Sequence, residues 1–183
     1  MVEAVISKEM IKILSDLKDK RFLSYICEKD DGFSQIYGNI RIVTDKNAIE
    51  IVNEVHPLKF FDGIEDISFF EIEEVNPENP FVPFVVTDTE EIKINKTITG
   101  IDLINDTINV NNGEYEITFD AAIIFHLDDE ILMLARDFWF SELISIAHDD
   151  DYERILSIND QIEMWSNEGE DEVTIDRKRI RIC

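Results

Sequence analysis

Beyond Arg21 the apolar residues of this chain recur at every second position, in one short segment after another, and a period of two dictates strands. The opening stretch alone obeys a different spacing. Met10, Ile13, Leu14 and Leu17 fall at i, i+3, i+4 and i+7 behind Ser7, a residue type that caps helix N-termini. The pattern predicts an α+β chain: one N-terminal helix and a predominantly antiparallel sheet assembled from hairpins.

Turn residues divide the strands. Residues 22–27 and 33–37 flank Asp30-Asp31-Gly32, 39–44 and 48–53 flank Asp45-Lys46-Asn47, and 107–110 and 115–119 flank Asn111-Asn112-Gly113, the clearest hairpin signal of the three. Residues 56–63 interrupt the alternation, and 67–74 resume it with Phe70 and Ile72 on one face and Glu71 and Glu73 on the other. Prolines at 77, 80 and 83 mark a loop over 76–83, the one seam in what reads as a single domain, 1–183. Strands are expected at 92–98 and 100–104. The continuous apolar runs 121–127 and 131–135 read as the centre of the sheet, buried on both faces. Residues 138–148 fit a second helix or another strand, and 161–165 with 173–182 read as a closing hairpin.

Charge narrows the function classes. Of 183 residues 41 are acidic and 17 basic, a net charge of −24, and residues 51–150 alone hold 23 acids against 4 bases. Thirty isoleucines suggest A/T-rich codons, which would also enrich lysine, yet there are only ten lysines, so the acidity belongs to the protein rather than to nucleotide composition. Such a surface is expected to bind neither nucleic acid directly nor an anionic membrane, because both require Lys and Arg. No segment has the roughly 18 consecutive apolar residues of a membrane span or the basic-then-apolar order of a secretion signal, which predicts a cytoplasmic protein. Cys27 and Cys183, far apart in sequence, fit free thiols in a reducing compartment.

Motifs for common chemistries are absent from the sequence. There is no G-x-G-x-x-G or P-loop to cradle a nucleotide and no G-x-S-x-G elbow, so no cofactor is expected. His126-Leu127-Asp128-Asp129 and His148-Asp149-Asp150-Asp151 combine imidazole with carboxylates, donors that suit Zn, Mn or Fe. Neither has HExxH or EF-hand spacing, so no metal ligands are assigned, and His126, at the end of an apolar run, is expected to be a hydrogen-bonded structural residue. Asp120 and Glu142 are the carboxyls with the most apolar neighbours; Asp120 reads as a strand start or turn, Glu142 as exposed. Phe138-Trp139-Phe140 cannot share one face and fits a two-layer core better than a docking anchor. Arg177, Arg179 and Arg181 alternate onto one strand face, where pairing with the protein's own acids is expected.

The leading expectation is therefore a non-enzymatic acidic protein that neutralises a basic protein partner, in the manner of an immunity or antitoxin-like inhibitor of a toxin or nuclease. Charge complementarity would speed the encounter, and carboxylates at i and i+2, such as Glu71 with Glu73 or Glu114 with Glu116, stand about 6.6 Å apart on a strand, a spacing able to engage a site built for phosphates. Asp128, Asp129, Glu130, Asp149, Asp150 and Asp151 are the expected contact or steering residues. Two rival classes are a metal-dependent hydrolase using clustered carboxylates with His126 or His148, and a structural or assembly protein of a phage or envelope complex. The oligomeric state is left open.

Overall fold

In the computed structural model, which describes residues 1–29, 34–85, 87–136, 138–166 and 169–183, the helical spacing near the N-terminus becomes α1 (Lys8–Ser15). The Ser7 hydroxyl caps it by accepting the Met10 amide at 3.2 Å, and Leu14, with Leu17 just beyond, is fully buried. A short strand, β1 (Val2–Ala4), precedes it. The rest of the chain forms β2 (Arg21–Glu28), β3 (Gln35–Tyr37), β4 (Asn39–Thr44), β5 (Ala48–Phe60), β6 (Gly63–Val75), β7 (Thr89–Val110), β8 (Tyr115–Leu127), β9 (Glu130–Arg136), β10 (Leu143–Ala147) and β11 (Val173–Arg181), with α2 (Ile158–Trp165) before β11. The sheet order is β3-β10-β9-β8-β7-β2-β4-β5-β6, with β1 parallel to β8 and β11 antiparallel to β7.

β7 joins the two halves of this sheet. Its first part pairs with β2 and its second with β8 and β11, so residues expected as separate strands at 92–98, 100–104 and 107–110 are one strand of 22 residues. The halves stack on a shared core in which Phe22, Ile42, Ile51 and Phe70 meet Ile101, Ile123, Phe125 and Leu134; the Phe22 and Phe125 rings touch edge to face at 5.9 Å. Each isoleucine so buried contributes about 1.5–3 kcal/mol.

The opposite face of β8 and β9 carries a second core. Ile117, Phe119, Ala122, Ile124 and Met133 lie there under Tyr152, Leu156 and Trp165, with Phe60 from the far end of β5 packed against them. The pairing of β7 with β8 slips where Ile104 faces Ala122 and Asn105 faces Asp120, leaving Ala121 as an extra residue. That bulge is why odd-numbered Ile117 and Phe119 share a face with even-numbered Ala122 and Ile124. β8 is thus buried on both sides, as its unbroken apolar run predicts. Trp139 completes the second layer, stacked on Trp165 at 4.2 Å, while Phe140 keeps an exposed edge.

The hairpins β4–β5 and β7–β8 form as expected, the latter through Asn111, Asn112 and Gly113 at φ of 49°, 53° and 104°. Three expectations are corrected and one open choice is resolved. The Asp30-Asp31-Gly32 turn and Phe33 lie outside the described residues, and β3 pairs with β10 rather than β2, whose two edges are taken by β4 and β7. Residues 56–63 do not break the alternation: β5 runs through His56 and Pro57, turns at Phe61, and returns as β6. Pro57 is tolerated because β5 beyond Val52 pairs with β6 alone. Of the two alternatives left open for 138–148, the strand is realised at 143–147 as β10, which extends the sheet on β9 and buries Ile144. The closing hairpin does not exist, since 158–165 is the second helix, capped by Ser157 and burying Gln161 and Trp165 at the i, i+4 spacing.

The 76–83 loop contains no helix or strand and is held from β4: Arg41 donates to the carbonyls of Asn79 and Pro80, and Asn39 to that of Val82. No helix among the described residues is long and apolar enough to cross a membrane.

Candidate functional site

The fold brings three of the expected acids and both candidate histidines to one rim. His126, Asp128, Asp129, Glu130 and His148 line an open groove of about 500 Å³. The protein's own bases already pair with most of the expected acids. Lys96 lies 2.6 Å from Asp129 and 2.9 Å from Glu130; these hydrogen bonds push its pKa up to about 12 and hold both carboxyls below the ordinary range. Glu130 also faces His148 Nδ1 at 3.0 Å. Asp128 accepts the Thr97 amide at 2.9 Å, Asp149 pairs with Arg154, and Asp150 lies 2.7 Å from Arg179. Of the six, only Asp151 has a carboxylate without a partner among the described residues.

Beneath this rim the C-terminal arginines pair with acids of β7. Arg179 Nε donates to Asp102 at 2.6 Å, and Arg181 lies 3.0 Å from the other Asp102 oxygen. His126 Nε2 sits 2.9 Å from Asp102 and 3.2 Å from Arg179, so it is hydrogen-bonded, as the end of an apolar run implies. Burial would raise the Asp102 pKa, but the hydrogen bonds from Arg179 and His126 outweigh it and hold the carboxyl below its usual value. Asp106, fully buried, takes two hydrogen bonds from Arg177 and one from Gln161, each 2.7–2.8 Å, with the guanidinium 4.5 Å over the Tyr152 ring.

Two other carboxyls depart from their expected places. Asp120 lies inside β8 beside the bulge, accepting the Ile6 amide at 2.8 Å and the Asn105 side chain at 2.9 Å. Its burial raises its pKa more than those contacts and Arg136 lower it. Glu142 is half-buried rather than exposed, accepting the Tyr37 hydroxyl.

Carboxylates without a lysine or arginine partner among the described residues also cluster on the outer face of β5 and β6. Alternation places Glu50, Val52 and Glu54 on that face opposite Glu73, Glu71 and Phe69. All but Phe69 line a groove of about 590 Å³ whose other side holds Val82, Pro83 and Phe84. Only Glu50 has an arginine, the buried Arg41. Glu54 and Glu73 have no cation within salt-bridge distance among the described residues, and Glu71 has only His56. Carboxylates facing one another across two strands repel, so this face holds an unfavourable term that a cation would relieve. The wall is fixed by the Asn39 bond to Val82 and by Phe84 lying over Gly38, where the backbone is left-handed (φ +78°) and a Cβ would stand 2.2 Å from the ring.

The arrangement suits a lysine or arginine side chain, its stem on Val52 and Phe84 and its head among the glutamates. The sequence showed half of it in the Glu71, Glu73 pair. Glu50 and Glu54 were hidden because residues 56–63 read as an interruption, which concealed that β5 and β6 are one long ribbon. No protein-family model matches the chain, and neither a curated protein nor a solved structure does.

Proposed function

We propose that the protein is a non-enzymatic acidic binding protein that docks a basic protein partner, with the outer face of β5 and β6 as its contact surface. The observation that carries this reading is that Glu54, Glu71 and Glu73 share one groove without a lysine or arginine of the protein's own, whereas the acids at 128–130 and 149–150 are engaged internally. The net charge of −24 steers a cationic partner at long range, and the groove supplies the short-range contacts. An immunity or antitoxin-like role follows if the surface covered on the partner is one built to hold phosphate.

Affinity capture from native cells at low salt, with elution by a salt gradient, is expected to release one basic protein. Against that partner, E54K/E71K/E73K should weaken binding at least 100-fold, while D128K/D129K/E130K should chiefly slow association. Equal loss in both variants, or no specific binder at low salt, refutes the proposal.

A further inference from the structure

Glu54, His56 and Glu71 come together at one end of this face in a way that a docking surface alone does not require. Glu54 and His56 are two residues apart on β5, hence on the same side, and Glu71 reaches them from β6. One ligand-type atom from each lies within 4.8 Å of those of the other two. His56 Nε2 is screened from solvent and has no hydrogen-bond partner among the described residues, although Glu71 Oε1 is 3.2 Å away. The ring stacks on Phe69 at 4.4 Å, which fixes the direction of that nitrogen. A shielded imidazole nitrogen 3.2 Å from one carboxylate oxygen but outside hydrogen-bond geometry, with a second carboxylate in the same cluster, forms a donor set that a divalent cation would satisfy.

We infer that these three residues bind a divalent first-row transition-metal ion of the Zn²⁺ class. Donors about 2.1 Å from a tetrahedral ion stand about 3.4 Å apart, so His56 Nε2 and Glu71 Oε1 are already near coordination spacing and Glu54, within 4.8 Å of both residues' donor atoms, needs at most a small side-chain adjustment. Glu54 is exposed and free to make it. One imidazole with two carboxylates favours Zn²⁺ or Mn²⁺ over Ca²⁺, which takes six to eight oxygens. The thirteen-residue pairing of β5 with β6 holds the two strands in register, and three protein ligands leave a fourth position open to the groove. The inference shares Glu54 and Glu71 with the basic-partner reading, but it adds His56, which that reading does not need, and leaves out Glu73, which that reading does, so H56Q and E73Q tell the two apart.

Equilibrium dialysis against Zn²⁺, Mn²⁺ and Ca²⁺ followed by elemental analysis tests it. Wild-type protein is expected to retain one Zn²⁺ per chain, with Ca²⁺ failing to compete at a hundredfold excess. H56Q and E71Q, shown folded by circular dichroism, should each weaken retention at least tenfold; E73Q and the double variant H126A/H148A should not. Co²⁺ should give the visible absorption of a tetrahedral site in wild type and lose it in H56Q, a readout that stands if E71Q fails to fold. Absence of stoichiometric Zn²⁺ in wild type, retention unchanged in both H56Q and E71Q, or loss in H126A/H148A instead would each overturn the assignment.

Discussion

The rim around residues 126–130 and 148–150 and the outer face of β5 and β6 are both dense in carboxylates, yet they differ in what the rest of the chain does to them. At the rim, Lys96 and Arg179 arrive from 33 and 29 residues away and take up Asp129, Glu130 and Asp150. At the face of β5 and β6 the one arginine pairing with a glutamate among the described residues, Arg41 of β4, serves Glu50. Charge density along a sequence therefore does not measure charge available at a surface; the difference is made by which distant bases the sheet topology delivers.

That contrast predicts opposite responses to losing a carboxylate. Asp106→Ala strands a nearly buried Arg177 and should cost about 3 kcal/mol in urea unfolding, held to the lower end of the usual range because Glu153 and the Leu156 carbonyl remain as partners. A loss below about 1 kcal/mol would show that the arginine strand is not a structural clasp. The next effect is in pH. Because the folded-state pKa of Asp102 is depressed, its contribution to stability is present above the unfolded value of about 3.9 and lost as pH falls through the folded value. Asp120 runs the other way, its raised pKa making stability fall as pH rises from about 3.9 through the folded value. Thermal unfolding between pH 2 and 6 should show a flatter acid limb for Asp102→Asn than for wild type, and identical limbs would remove Asp102 from the clasp. The smallest effect belongs to the groove. Glu73→Gln relieves the opposition to Glu50 and should leave stability unchanged or raise it by about 0.2–1 kcal/mol at low salt, a gain that vanishes in high salt. A clear loss would mean that Glu73 has an internal partner and that the two regions are alike.

Much of the fold was legible because its signals are local. Ser7 with Leu14 specifies α1, and Asn111-Asn112-Gly113 specifies a turn, each within one short window. What escaped was set by partners far away. Pro57 argues against a strand until it is clear that β5 has no second neighbour there. α2 is no shorter than α1, but its buried positions pair polar Gln161 with Trp165 instead of an apolar run, which left Ser157 as its clearest local sign. The candidate site followed the same rule: Glu71 and Glu73 announce themselves by alternation, whereas Glu54 and His56 join them only through the cross-strand register. The arginine alternation at 177–181 did foretell internal pairing, because the surrounding acidity left few other partners.

The pairing of β11 with β7 also sets an order of events during synthesis. Asp106 is made 71 residues before Arg177, and Asp102 77 before Arg179. On the ribosome, these acids must wait, hydrated and unneutralised, for a strand not yet translated, and closing such distant pairs is the slow kind of step in folding. The arginine strand acts as a late latch. With only the first 172 residues made, the chain holds 40 acids and 13 bases, a net charge of −27 against −24 for all 183, so the strand that closes the latch also removes part of a repulsion that keeps unpaired strand edges of separate chains apart.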